Sequence, residues 1–195
     1  RAFVANFNRG SMSVIDARRG ALVRTIRVGG GPAALAVDEG SGYVFVANFG
    51  AGTVSMLDGG RGRLIRTVPG GQVPVAVAVD ASRRHVYVAS FTGNSVAVLD
   101  ARTGAVLGVI RVGHRPNDVV VDARTGHAFV TNWDDGTVSV IDTRRQTVLR
   151  TVPVVAAIDS PAGQVLVANF TGDSVCSHQA GTCRRDLGAL VTWRR

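Results

Sequence analysis

A stretch of sixteen residues returns every 42 positions: YVFVANFGAGTVSMLD at 43–58 becomes HVYVASFTGNSVAVLD at 85–100 and HAFVTNWDDGTVSVID at 127–142. The register holds at single residues. Asn6, Asn48, Ser90 and Asn132 keep the step, as do Asp16, Asp58, Asp100 and Asp142, and Asp38, Asp80 and Asp122; Asp159 and Asn169 follow after a shorter 37. A Gly-x-x-Pro element opens three units, at residues 29–32, 71–74 and 113–116, and is missing before Val154, which accounts for the shorter last step. A chain built this way folds as copies of one supersecondary unit, each of which needs a neighbour to cover its apolar faces.

Periodicity within the unit chooses between helical and β repeats. The unit at 75–112 holds four short runs rich in β-branched residues, at 75–79, 86–89, 95–99 and 106–112, designated A to D, with turn-forming Gly, Asp, Asn and Pro between them. No run is long enough for a core helix. Four such strands predict an antiparallel meander, and its lack of clean apolar–polar alternation predicts burial on both faces. Meanders stacked face to face around an axis satisfy that demand, with small residues such as Ala34, Ala36, Ala76 and Ala78 on the crowded inner strand A. Parallel β-solenoids are the rival, but their coils are shorter and their turns less regular. The expectation is therefore an all-β, single-domain β-propeller over residues 1–195, with about four to five four-stranded antiparallel blades and a degenerate part at 173–195.

The motifs VANFGAGTVSMLD, VTNWDDGTVSVID, TIRVGGGPAALAVD and VIRVGHRPNDVVVD resemble the YVTN repeat of YncE-like β-propellers, and the resemblance runs to about Asn169. It implies a rigid disc whose specificity lies in residues that differ between blades. A WD40 assignment fails, because Trp133-Asp134 occurs once and falls in a B–C loop, where other units carry Phe7, Phe49, Phe91 and Phe170. The chain enters in strand B at 2–5, and A strands follow at 33, 75, 117 and 154. Only the run LGALVT at 187–192 remains to close a circle, and it lacks the pattern of the other A strands. An open or partial ring is expected, with blade edges available for self-association.

Charge enters through arginine alone: the net charge is +8 and there is no lysine. The A–B and C–D turns of a meander share one face of the disc. That face receives Arg18, Arg19, Arg61, Arg63, Arg83, Arg84, Arg102, Arg124, Arg144 and Arg145, while Arg24, Arg66 and Arg150 repeat on strand D. Such a face offers weak, sequence-independent binding of nucleic acid or another polyanion; the plainer reading is a solvated turn surface. The strand-end residues Asn6, Asn48, Asp58 and Asp100 are expected to hold turns by bonding nearby backbone donors.

Catalytic patterns are sparse. The histidines show no metal-ligand spacing, and His85 and His127 repeat the position of Tyr43. There is no Cys-x-x-Cys-His haem attachment and no Gly-x-Ser-x-Gly elbow, so no catalytic residue, metal or cofactor is assigned. Cys176 and Cys183 bracket a short loop suited to a disulfide in an oxidising compartment; a metal site with His178 or two free thiols are the alternatives.

The loops that depart most from the repeat are Gly113-His114-Arg115-Pro116-Asn117-Asp118 and Trp133-Asp134-Asp135. Both belong to the B–C/D–A face, so His114, Arg115, Asn117, Asp118, Trp133, Asp134 and Asp135 form the candidate ligand-binding set. The expected function is a non-enzymatic binding or interaction module for an unknown protein or small ligand, extracytoplasmic (periplasmic or secreted) although no signal segment is present. A lactonase- or lyase-like enzyme with an axial site is the alternative from another class, and polyanion binding by the arginine face is a third.

Overall fold

Each unit folds into one antiparallel sheet whose strands pair in chain order. In the computed structural model, which describes residues 1–154, 175–176 and 183–184, the first blade has three strands: β1 (Ala2–Asn6), β2 (Ser11–Asp16) and β3 (Ala21–Arg27). Three four-stranded blades follow. The second is β4 (Pro32–Asp38), β5 (Tyr43–Asn48), β6 (Thr53–Asp58) and β7 (Arg63–Pro69); the third is β8 (Pro74–Asp80), β9 (His85–Ser90), β10 (Ser95–Asp100) and β11 (Val106–Arg111). The fourth is β12 (Pro116–Asp122), β13 (His127–Asn132), β14 (Thr137–Asp142) and β15 (Thr147–Pro153). A 3-10 turn (Phe7–Arg9) joins β1 to β2, and a two-stranded ribbon, β16 (Val175–Cys176) with β17 (Cys183–Arg184), completes the described elements. The strand boundaries differ from the sequence reading by one or two residues, because the polar residues at each end still pair.

The blades stack in chain order. Inner strands β4, β8 and β12 lie side by side, and β1, a B strand, meets β4, the first sheet having no A strand among the described residues. Apolar side chains then meet between sheets. Met12, Val14 and Ile26 of the first blade pack on Val44, Val46 and Leu57 of the second; Phe45, Val54 and Met56 pack on Val86, Val88 and Leu99 of the third. Tyr87, Ala89, Val96 and Val98 in turn meet Ala128, Val130 and Ile141 of the fourth. Successive residues of one B strand thus point into two different seams, which is why that strand reads as continuously apolar. Outer strands β3, β7, β11 and β15 are mostly exposed, as expected of the rim.

The repeated asparagine acts differently from its expected role. Instead of holding a turn through backbone donors, Asn48 Nδ2 donates to Thr53 Oγ1 at 3.1 Å and Ser55 Oγ at 2.9 Å, and Asn132 makes the same two bonds to Thr137 and Ser139. Asn6 does so with Ser11 and Ser13. The amide therefore clasps strand B to strand C. Asp58 and Asp100 do hold turns, accepting backbone N–H bonds from Arg61 and from Arg102 and Thr103.

The clasp also explains the first position of Gly-x-x-Pro in the second and fourth blades. A Cβ on Gly29 would lie 2.6 Å from Asn48 Cγ, and one on Gly113 would lie 2.6 Å from Asn132 Cγ. The glycine leaves room for the amide. We expect Gly29→Ala to destabilise the chain by about 2–3 kcal/mol, as overpacking against a buried, bonded side chain does. Denaturant unfolding measures this, and a loss below about 0.5 kcal/mol would show that the amide can shift freely.

Candidate functional site

The two departing loops meet on the B–C/D–A face, beside the seam between the third and fourth blades. The Trp133 backbone N–H donates to Arg115 O at 3.0 Å, tying the B–C loop of the fourth blade to the loop that enters it. Asp135 accepts from the His114 backbone N–H at 2.7 Å and contacts the ring Nδ1 at 2.8 Å; the N–H and then the ring hold its carboxyl below the usual carboxylate range. Arg115 Nε lies 3.2 Å from Asp134 Oδ2. Its guanidinium also sits 5.7 Å from the centre of the Phe91 ring, a cation–π distance.

Phe91 belongs to the third blade and meets Trp133 edge to face, with ring centroids 6.4 Å apart. Arg115 N–H donates to Asn94 Oδ1 of the same third-blade loop at 2.9 Å. His114, Arg115, Trp133, Asp134 and Asp135 are therefore brought together, joined by Phe91 and Asn94, which the sequence reading did not include. On the same face Phe7 and Phe49 form a second ring pair at 5.9 Å. Phe7, Phe49 and Trp133 are 50%, 40% and 38% exposed, so the face carries an aromatic from each blade. Arg115 has φ 49°, in the left-handed region where the second blade has Gly31 at 61°. Val73 does the same at 56°, so the conformation belongs to the repeat and is not by itself a mark of function.

Asn117 and Asp118 take a different position. Pro116 pairs with Asn132 and Asp118 with Thr131, which leaves Asn117 as the bulged residue of inner strand β12. Asp118 stands where the second and third blades have Ala34 and Ala76. It is half-buried, and its Oδ1 accepts only the N–H of Val119, its own neighbour. Burial, against this single bond, raises its pKa above 3.8. Asp118 is thus a carboxylate on the inner strand, with no hydrogen bond to the loop cluster among the described residues.

On the opposite face many arginines are already engaged. Arg61 pairs with Asp58 and Arg83 with Asp80, both at 3.1 Å, while Arg124 and Arg145 lie 3.9 and 3.8 Å from Asp122 and Asp142. Arg24 spans a seam, donating to Gly62 O of the next blade at 3.2 Å. Part of the positive charge is therefore spent on turn and seam geometry. Arg18, Arg19, Arg84, Arg102 and Arg144 make no side-chain ion pair among the described residues.

The backbone pairs Cys176 opposite Cys183 in the β16–β17 ribbon; their side chains, His178, the fifth unit and residues 187–192 lie outside the described residues. Among the described residues no three His, Cys, Asp or Glu side chains converge as metal ligands, and no helix is long and apolar enough to cross a membrane.

A stack of four-stranded meanders with loop sites on one face defines a β-propeller-like, all-β chain. Among solved structures the chain is similar to the hydrazine synthase of Kuenenia stuttgartiensis, with a TM-score of 0.72 and 21% identity over 77% of this chain and 45% of that one. At that identity the likeness concerns the fold, and the chain spans under half the length of the hydrazine synthase chain. No family model matches the sequence, and no curated protein matches it.

Two outcomes follow from the carboxylates. Asp58 and Asp142 have lowered pKa values chiefly through backbone N–H bonds; in Asp80, Asp100 and Asp122 burial opposes ionisation but hydrogen bonds outweigh it. A pKa lower in the folded chain means stability fully present above the ordinary 3.8 and lost as pH falls through the folded values. Thermal unfolding should therefore show stability dropping steeply below about pH 4. Asp118 has the opposite sign. Asp118→Ala should raise the unfolding temperature at pH 7, with the gain over wild type shrinking towards zero as pH falls below 3.8; an unchanged or lowered value at pH 7 would show that the carboxylate has a stabilising partner.

Proposed function

We propose that this chain is a non-enzymatic binding module on a YVTN-like propeller scaffold, recognising a protein or small ligand through the B–C/D–A face at the seam of the third and fourth blades. The observation that carries the reading is the crossed arrangement of His114 on Asp135 and Arg115 on Asp134, set against the Phe91–Trp133 pair. None of it is needed to make a blade, since the second blade has Gly30, Gly31, Phe49, Gly50 and Ala51 in the equivalent places. An exposed aromatic beside paired charges of both signs suits partner recognition, where aromatic and arginine side chains supply most of the binding energy. The YVTN repeats at 42-residue spacing support the family assignment, a single propeller domain over 1–195, and an extracytoplasmic setting. An axial enzyme is the second reading, favoured by one observation: the half-buried Asp118 on an inner strand, where the second and third blades have alanine.

The test returns the loops to the repeat. A variant carrying His114→Gly, Arg115→Gly, Trp133→Phe, Asp134→Gly and Asp135→Ala takes the second blade's residues and should fold as that blade does. Partners captured by the parent chain should bind this variant more weakly by about 10–100-fold, the range for loss of clustered hot spots. Affinity within about twofold of the parent would move the binding surface elsewhere. Turnover by the parent that disappears in Asp118→Asn would favour the enzyme.

A further inference from the structure

The face opposite the loop cluster holds a shallow, open depression at the seam of the third and fourth blades, lined by Ser82, Arg83, His85 and Arg144. Its walls come from two blades: the A–B turn of the third and the C–D turn of the fourth. Arg83 is fixed by Asp80 at 3.1 Å and is largely shielded from solvent. Arg144 has no ion pair or side-chain hydrogen bond among the described residues, and only its backbone N–H is used, by Asp142. The Nδ1 atom of His85 is buried without a hydrogen-bond partner. Beneath the depression, Tyr87 donates its hydroxyl to Thr143 O at 3.3 Å, joining the blades at the residue before Arg144.

The neighbouring seam is the internal control. Between the second and third blades, the equivalent positions are Gly40, Ser41, Tyr43, Phe45, Ala101 and Arg102 in place of Ser82, Arg83, His85, Tyr87, Thr143 and Arg144. Only the arginine of the C–D turn is common to both. The second cationic side chain, the imidazole and the phenolic tie all belong to the third and fourth blades. None of them is needed to pack a seam, since Phe45 and Ala101 do so without them.

We propose that this depression is an oxyanion site that takes the phosphate group of a small phosphorylated ligand. Two guanidinium groups from separate blades line it, Arg83 pinned by Asp80 and Arg144 exposed without an ion pair among the described residues, and both can donate to a tetrahedral anion; the His85 ring lies in the same lining, while the Ser82 hydroxyl is already given to Asp80. Asp80 and Asp100, which flank His85 in the sheet, are both engaged: Asp80 by Ser82 and Arg83, Asp100 by Thr103 and the Arg102 backbone. The site is distinct from the loop cluster and does not depend on it.

Calorimetric titration with inorganic phosphate, and in a second arm with glycerol 3-phosphate, tests the site while nitrogen-correlated NMR follows the His85 ring. Both probes should saturate at one site and shift the His85 resonances, with tighter binding of the ester if the phosphorylated ligand is the physiological one. Arg144→Gln should weaken binding about tenfold or more, Arg144→Lys should weaken it less, and Arg102→Gln should leave it within about twofold. Equal losses from Arg102→Gln and Arg144→Gln would reduce the effect to diffuse charge and overturn the proposal. So would non-saturating binding, or binding that leaves the His85 resonances unmoved.

Discussion

The structure depends on the fact that its B and C strands are apolar on both faces. Val44 and Val46 face one neighbouring sheet while Phe45, between them, faces the other. Burying side chains of this size contributes about 1.5–3 kcal/mol each, so a sheet left uncovered on one side forfeits much of its stabilisation. No blade can satisfy both faces alone. Stacking is therefore the only way to bury them, and the position of every loop follows from it: with all sheets stacked in one sense, B–C loops gather on one side and C–D turns on the other. The exposed outer strands are the complementary consequence, since β7 and β15 pair with no further strand among the described residues.

That constraint is why the fold was legible in the sequence and the site only in part. A 42-residue step with four short strand-forming runs leaves few ways to bury two apolar faces, so strand order, pairing and facing of loops could all be read from chain positions. The meeting of His114, Arg115 and Trp133 followed from the same geometry. What escaped was everything set by the neighbouring blade. Phe91 and Asn94 are one unit earlier in sequence, yet they touch Arg115 because the loop entering one blade lies over the B–C loop of the previous one. Asp118 follows Asn117 directly and so reads as loop in the sequence, but the bulge at Asn117 lies within the inner strand and Asp118 pairs with Thr131 beyond it. The asparagine clasp was missed for another reason: its partners lie five and seven residues ahead, at a spacing that means nothing until strands B and C are paired.

Repetition also sharpens what a departure means. The third blade replaces the clasp asparagine with Ser90, which donates instead to Gln72 O at 2.7 Å, and replaces the core Phe45 with Tyr87. Burial first, and the charge of Asp80 next, push the Tyr87 pKa up to about 12, so the phenol stays a neutral donor to Thr143. Each change exchanges a bond within one blade, or none, for one that reaches a loop or another blade. Such exchanges carry a risk in an apolar seam, because a buried polar group without a partner costs about 1–3 kcal/mol. The hydroxyls of Ser90 and Tyr87 are both satisfied, which is what allows the departures to persist.

The seam between the third and fourth blades concentrates these exchanges at both of its ends. At the loop end, Arg115 N–H reaches Asn94, and Phe91 meets Trp133; at the turn end, Tyr87 reaches Thr143. The seam between the second and third blades has Phe45 and Ala101 at the turn end and is closed by packing there. Packing alone is tolerant of small rotations between sheets, whereas hydrogen bonds are directional and weaken steeply away from good alignment. Polar ties at both ends of one seam therefore fix the relation of those two blades more tightly than apolar contact would. That rigidity is of little use to the stack, which is already stable through its apolar faces. It is of direct use to side chains that must hold a set geometry across a seam, as Arg115 does over Phe91.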